Sequence, residues 1–119
     1  MPVRVLVVDD HREFRALARE LLGARGYVVV GEAACGEAAL AAAARLRPDA
    51  VMLEVELGDG EGLEVARALR RACPCASVLL VSIRDYGVCE DLVRGTGAAG
   101  FMLKSRLVSA DLGAFWPGG

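Results

Sequence analysis

The strongest constraint on the fold is a recurring one: short, β-branched apolar runs alternate with segments of helical period. The first run, VRVLVV at 3–8, stops at Asp9-Asp10-His11. A strand that is apolar on both faces is covered on both faces, as in a parallel sheet flanked by helices. From Arg12 to about Arg25, Phe14, Leu17, Ala18, Leu21 and Leu22 fall at helical spacing, and Gly23 and Gly26 mark the exit.

The alternation continues along the chain. Residues 27–30 read as a second strand, and GEAACGEAALAAAARLR at 31–47 as an alanine-rich helix stopped by Pro48. Residues 50–53 read as a third strand with Glu54 at its C-terminal edge, and Leu63, Ala66, Leu69 and Arg70 continue a third helix. A fourth strand at 76–81 ends at Ser82. The helix expected over 85–94 is weakened by Gly87, Val88 and Val93. A fifth strand at 99–103 leads straight into Lys104. RLVSADLGAFW at 106–116 offers little more than two turns before Pro117, so a fifth helix is expected to be short or frayed. The pattern predicts one α/β domain over 1–119, with its core at about 3–112. Its architecture is a (βα)5 doubly wound, five-stranded parallel sheet in three layers, order 2-1-3-4-5.

Composition narrows the function. With 14 basic and 16 acidic residues, a formal charge of −2 and no basic block, direct nucleic-acid binding is not expected. The apolar runs are broken by charge well short of the roughly 18 residues that span a bilayer. Met1-Pro-Val-Arg4 enters a strand without a signal-peptide layout, so a cytoplasmic location and no membrane partner are expected. Cys73-Pro-Cys75 lacks zinc spacing and His11 is the only histidine, so Cys35, Cys73, Cys75 and Cys89 read as buried or half-buried thiols. His11 itself reads as a surface residue at a helix N-terminus, and Trp116 as closing the core or joining an interface.

Ligands of open α/β sheets gather beyond the C-terminal strand ends, where the strand order reverses. The predicted topology brings Asp9, Asp10 and Glu54 there from strands one and three, and Ser82 and Lys104 from strands four and five. Two acids can coordinate a hard ion such as Mg²⁺, a lysine can offset transferred charge, and a hydroxyl can bond a phosphoryl oxygen.

In this order and spacing, VLVVDD at 5–10, RPDAVMLEVELGDGEGLE at 47–64, LLVS at 79–82 and GAAGFMLKS at 97–105 resemble the receiver domain of bacterial response regulators. The resemblance covers residues 3–112. It implies a flavodoxin-like fold and a place in two-component phosphorelay signalling. It assigns Asp9 and Asp10 as metal-binding acids, Glu54 to the phosphoacceptor position at the metal site, and the Glu56 backbone carbonyl as a further Mg²⁺ ligand. Ser82 resembles the switch hydroxyl, Phe101 the switch aromatic and Lys104 the essential lysine. The implied partners are a histidine kinase or another regulator, or a second copy joined through helix four, strand five and helix five.

Three residues depart from the family pattern: Glu54 replaces aspartate, and Gly58 and Ser105 stand where proline is common. The extra methylene of Glu54 moves its oxygens by about 1.5 Å, enough to slow an in-line attack built around aspartate. The expected function is therefore signalling through protein contacts, independent of conventional aspartyl phosphorylation, and not an enzymatic activity. The longer side chain also carries negative charge towards Lys104 and Ser82. It either imitates part of a phosphoryl group and holds an active-like state, or only neutralises Lys104 and locks the scaffold. Two alternatives stay open: a genuine Mg²⁺-dependent phosphoacceptor or weak phosphatase, and the receiver piece of a transcriptional regulator with its DNA-binding domain elsewhere. A flavin or nucleotide site is disfavoured, because no glycine-rich cradle follows strand one and Asp9-Asp10 repels anions.

Overall fold

β1 (Arg4–Val8), β2 (Val28–Ala33), β3 (Ala50–Glu54), β4 (Ser77–Ser82) and β5 (Gly100–Leu103) form one parallel sheet in the order β2-β1-β3-β4-β5. Between them lie α1 (Arg12–Ala24), α2 (Gly36–Leu46), α3 (Gly62–Ala72) and α4 (Glu90–Thr96). This computed structural model describes residues 2–58, 60–84 and 90–116. The expected start of the fourth helix at 85–89, including Cys89, and Pro117 lie outside the described residues.

The alternation of side chains along β1, β3 and β4 divides the core in two. Leu6, Val8, Val51, Leu53, Val78 and Leu80 face α2 and α3, where Ala39, Ala42, Ala43 and Ala66 let the helices approach closely. Val5, Val7, Met52, Leu79 and Val81 face Ala18 and Leu22 of α1 and the C-terminal Leu107, Leu112 and Trp116. Both faces are thus covered, which is why the strands are apolar throughout.

Two expectations are corrected. Residues 31–33, read as the start of a helix, belong to β2. The ladder with β1 runs on to Val8↔Ala33, and the Asp9 N–H donates to the Ala33 carbonyl at 3.0 Å. Local helix propensity yields to tertiary pairing. Cys35 then becomes the N-cap of α2, its thiol accepting from the Ala38 N–H at 3.5 Å.

The second correction concerns the C-terminal segment, where no α-helix forms among the described residues. Single 3₁₀ turns at Lys104–Arg106 and Leu112–Ala114 take the place of a fifth helix. Asp111 bonds the Gly113 N–H at 3.0 Å, the local side-chain-to-backbone competition that disfavours a continuous helix. Apolar anchors do the covering instead: Trp116 is buried and meets Tyr27 edge-on, with ring centroids 5.4 Å apart. The Arg25 guanidinium donates to the carbonyls of Ala110 and Val108, tying the segment to the exit of α1.

Between β3 and α3 the chain makes a tight turn in which Glu56–Leu57 pair antiparallel with Gly60–Glu61. Gly62 closes it, donating to the Val55 carbonyl at 2.6 Å. A Cβ at Gly62 would collide with the Glu54 carbonyl and lie 2.7 Å from the Val55 carbonyl oxygen, both backbone atoms that cannot swing aside. Gly62→Ala is expected to destabilise the domain by about 3 kcal/mol, read as a lower urea midpoint. A midpoint equal to that of the native protein would show that the turn accepts a side chain.

Candidate functional site

Sheet register alone delivers the polar groups. Asp9 follows β1 at the Val8↔Leu53 pairing, and Glu54 ends β3 opposite Val81. Ser82 ends β4 opposite Leu103, and Lys104 comes next. Asp9, Glu54 and Ser82 are all buried, each carried by a strand whose apolar residues fix it in the core.

The centre of the site is an ammonium group held between two carboxylates. Lys104 Nζ lies 2.6 Å from Asp9 Oδ2 and 2.8 Å from Glu54 Oε1, and 4.0 Å above the centre of the Phe14 ring. The other oxygen of Glu54, Oε2, accepts the Glu56 N–H at 3.0 Å. Burial pulls the Lys104 pKa down, but its hydrogen bonds to Asp9 and Glu54, with their charges, outweigh this and leave it raised.

His11 gathers at the outer side of the same acids. Its N–H donates to Asp9 Oδ1 at 2.8 Å, and its Nδ1 stands 3.1 Å from Asp9 Oδ1 and 3.3 Å from Asp10 Oδ1. Arg15 donates to the Asp9 carbonyl at 2.7 Å and, with Arg19, holds Glu32 of β2. The hydrogen bond from Arg19 leads in keeping the Glu32 carboxyl below its ordinary range; desolvation opposes it and Arg15 adds to it.

Of the residues expected here, Asp9, Glu54 and Lys104 meet directly, and Asp10 lies exposed at the rim. Ser82 reaches the same strand edge, yet its Oγ has no hydrogen-bond partner among the described residues, so Glu54 does not bond to it. Phe101 is half-buried on β5 against the core under α2 and α3. Glu56 shows a backbone link to the Glu54 side chain. The sequence reading missed the approach of His11 and the Phe14 ring. Their available signals were their places, one residue after the acid pair and at the first apolar position of α1.

Asp9, Asp10 and His11 each offer a ligand atom within 4.8 Å of the others, a donor set that suits a divalent cation. Cys35 and Cys73 are free and half-buried, and Cys75 is free and exposed. No helix among the described residues is long and apolar enough to cross a membrane.

Known proteins share the sequence pattern and the fold. The response regulator receiver domain family matches residues 5–109. Response regulator GacA of Pseudomonas aeruginosa is 39% identical over 103 residues, covering 86% of this chain and 48% of that protein. The chain thus spans about half the length of the curated relatives it matches. The signal receiver domain of a Mycobacterium tuberculosis response regulator named NarL superposes with a TM-score of 0.80 at 36% identity, over 90% of each chain. A Burkholderia pseudomallei response regulator, solved with a phosphorylated aspartic acid, a calcium ion and citrate, gives a TM-score of 0.84 at 25% identity, over 95% of this chain and 66% of that one. A family match running from inside β1 to the C-terminal segment, on a sheet of this order, places the chain among the response regulator receiver domains of two-component signalling.

Proposed function

We propose that this receiver signals through protein contacts with Glu54 as a fixed partner of Lys104, not as a phosphoryl acceptor. The observation that carries this reading is that both Glu54 oxygens are engaged, Oε1 by Lys104 and Oε2 by the Glu56 N–H. Each oxygen keeps a second lone pair, but attack by either would weaken a bond it already makes in a buried site, where such a loss is costly. The Burkholderia regulator carries a phosphorylated aspartic acid. Here the acceptor position holds a side chain one methylene longer, already turned to the lysine.

The substitution imitates only part of a phosphoryl signal. Lys104 is satisfied while Ser82 Oγ is not recruited, which supports a neutralised, locked pocket over an active-like one. Asp9 and Asp10 would hold Mg²⁺, which when bound supplies positive charge to incoming phosphoryl oxygens. A histidine kinase or a second regulator is the partner class this reading implies, in the cytoplasm. Homodimers would use α4 and β5 with the 3₁₀ segment in place of a fifth helix. Because the chain spans about half of its curated relatives, an output domain of transcriptional-regulator type beyond it is compatible with the match.

The test is incubation of the native protein with Mg²⁺ and a small phosphodonor, followed by intact mass measurement. No covalent adduct is expected. An adduct that disappears in Glu54→Gln would make Glu54 a working acceptor and overturn the proposal.

A further inference from the structure

We propose that Cys73 and Cys75 form a second reactive site, a dithiol at the end of the sheet remote from the acid pocket, which low-molecular-weight disulfides oxidise to a Cys73–Cys75 disulfide. The site is independent of the role of Glu54.

Proline makes the geometry. The residue before a proline is driven out of the helical region, so α3 ends at Ala72 and Cys73 begins a turn, closed by the Ala76 N–H donating to the Cys73 carbonyl at 3.0 Å. Pro74 takes the second position of this turn, where its fixed φ fits, and Cys75 takes the third. The Arg70 guanidinium donates to the Pro74 carbonyl at 2.6 Å and holds the turn against α3. Two Cα–Cα steps of about 3.8 Å folded by a turn span about 5–6 Å. A disulfide needs about 4.4–6.8 Å between its Cα atoms, so the backbone already stands at the required separation.

Side-chain placement agrees with the backbone. Both cysteines line one cleft of about 470 Å³, whose other walls include Ala43 and Arg47 from the end of α2 and Asp49 before β3. Cys73 packs half-buried against the core between α2 and α3, whereas Cys75 is exposed, and both thiols are free. Cys35 caps α2 at the opposite edge of the sheet, so Cys73 and Cys75 are the pair that the fold brings together among the described residues.

The exchange proceeds from the outside inwards. The thiolate of Cys75 attacks one sulfur of the small disulfide: a bond to Cys75 forms as the reagent's own S–S bond breaks, and one small thiol leaves with the proton. Cys73 then attacks the Cys75 sulfur, closing the ring and releasing the second small thiol. Two cysteine thiols are oxidised, and one disulfide is reduced to two thiols. Closure fixes the turn between α3 and β4, and with it one wall of the cleft. A disulfide this exposed belongs to the labile kind that ordinary thiols reopen.

The test is incubation of the full chain with oxidised glutathione, alkylation of the remaining thiols, and digestion with trypsin. Arg71 and Arg84 bound a peptide, 72–84, that contains these two cysteines and no other. In the native chain this peptide is expected to lose two hydrogen atoms. The closed form should exceed the mixed disulfide at least about 10-fold, because the neighbouring thiol acts at an effective concentration of about mM against micromolar released glutathione. Cys73→Ser is expected to stop at a retained glutathione adduct on Cys75. The folded turn is expected to favour closure at least about 5-fold over the isolated peptide 72–84, because it is organised in advance. A retained adduct as the main product of the native chain, a disulfide joining two copies through Cys75, or closure no more favourable than in the isolated peptide would overturn the proposal.

Discussion

Glu54→Asp is expected to make the pocket accept a phosphoryl group, with labelling by a small phosphodonor and Mg²⁺ at least about 100-fold faster than in the native protein. Removing one methylene draws the carboxylate back by about 1.5 Å, away from the ammonium that now holds it at 2.8 Å. The freed oxygen can attack phosphorus while the donor's leaving group departs, and Lys104 becomes available to the incoming charge. Intact mass measurement over time is the assay. Adding Asp10→Asn to the aspartate variant is expected to suppress labelling, because the cation site is impaired. Equally slow labelling of the native and Glu54→Asp proteins would show that side-chain length is not what silences the position, and would turn attention to the Gly58 and Ser105 departures.

Lys104→Met is expected to be the most damaging conservative change in the site, at about 3 kcal/mol. The Lys104 side chain is 10% exposed and its ammonium lies between two carboxylates that are nearly inaccessible, so its removal leaves two buried charges with backbone N–H donors and the His11 ring but no ammonium between them. Methionine fills similar space, which confines the loss to charge. The double variant Lys104→Met with Glu54→Gln is expected to regain at least about half of that loss, because one of the two stranded charges is gone. Urea denaturation of the four proteins in this cycle gives the coupling directly. A loss below about 1 kcal/mol in the single variant would place the ion pair among the weak surface bridges. The pH dependence has a defined sign. The Lys104 pKa is raised on folding, so its contribution is fully present below the unfolded value near 10.4 and disappears as pH rises through the folded one. The native protein should lose this increment at alkaline pH, whereas Lys104→Met has none to lose.

The parts of the fold that were legible in the sequence are those fixed by burial on two sides. The runs at 3–8, 50–53 and 76–81 could pack only in the middle of a covered sheet, and polar residues at their C-terminal ends had to emerge at one edge. Asp9, Glu54, Ser82 and Lys104 were readable for that reason, and the reach of Glu54 to Lys104 followed from its extra methylene. What escaped was decided by partners distant in sequence. Residues 31–33 resemble helix in isolation and become strand because β1 offers an unpaired ladder up to Ala33. His11 is the exposed N-cap of α1, as expected; only the turn of the neighbouring Asp9 carboxylate back to its N–H was not legible. Phe14 looked like ordinary helix core, and only the fold places its ring under the Lys104 ammonium. The isolation of Ser82 Oγ depends on side-chain reach inside the pocket, which strand patterning does not encode.

The short C-terminal turns have a consequence for how the domain opens. The segment that closes the α1 side of the sheet is held by Leu107, Leu112, Trp116 and the Arg25 guanidinium, with only 3₁₀ turns and no α-helix among its described residues. Its release is expected to cost less than global unfolding, and would uncover the side of β1, β3 and β4 that carries Val7, Met52 and Val81. Trp116, the chain's one tryptophan, sits in this cover. Its fluorescence therefore follows the cover, while far-ultraviolet circular dichroism follows the four helices. The range of denaturant over which those two signals part measures how independently the cover moves.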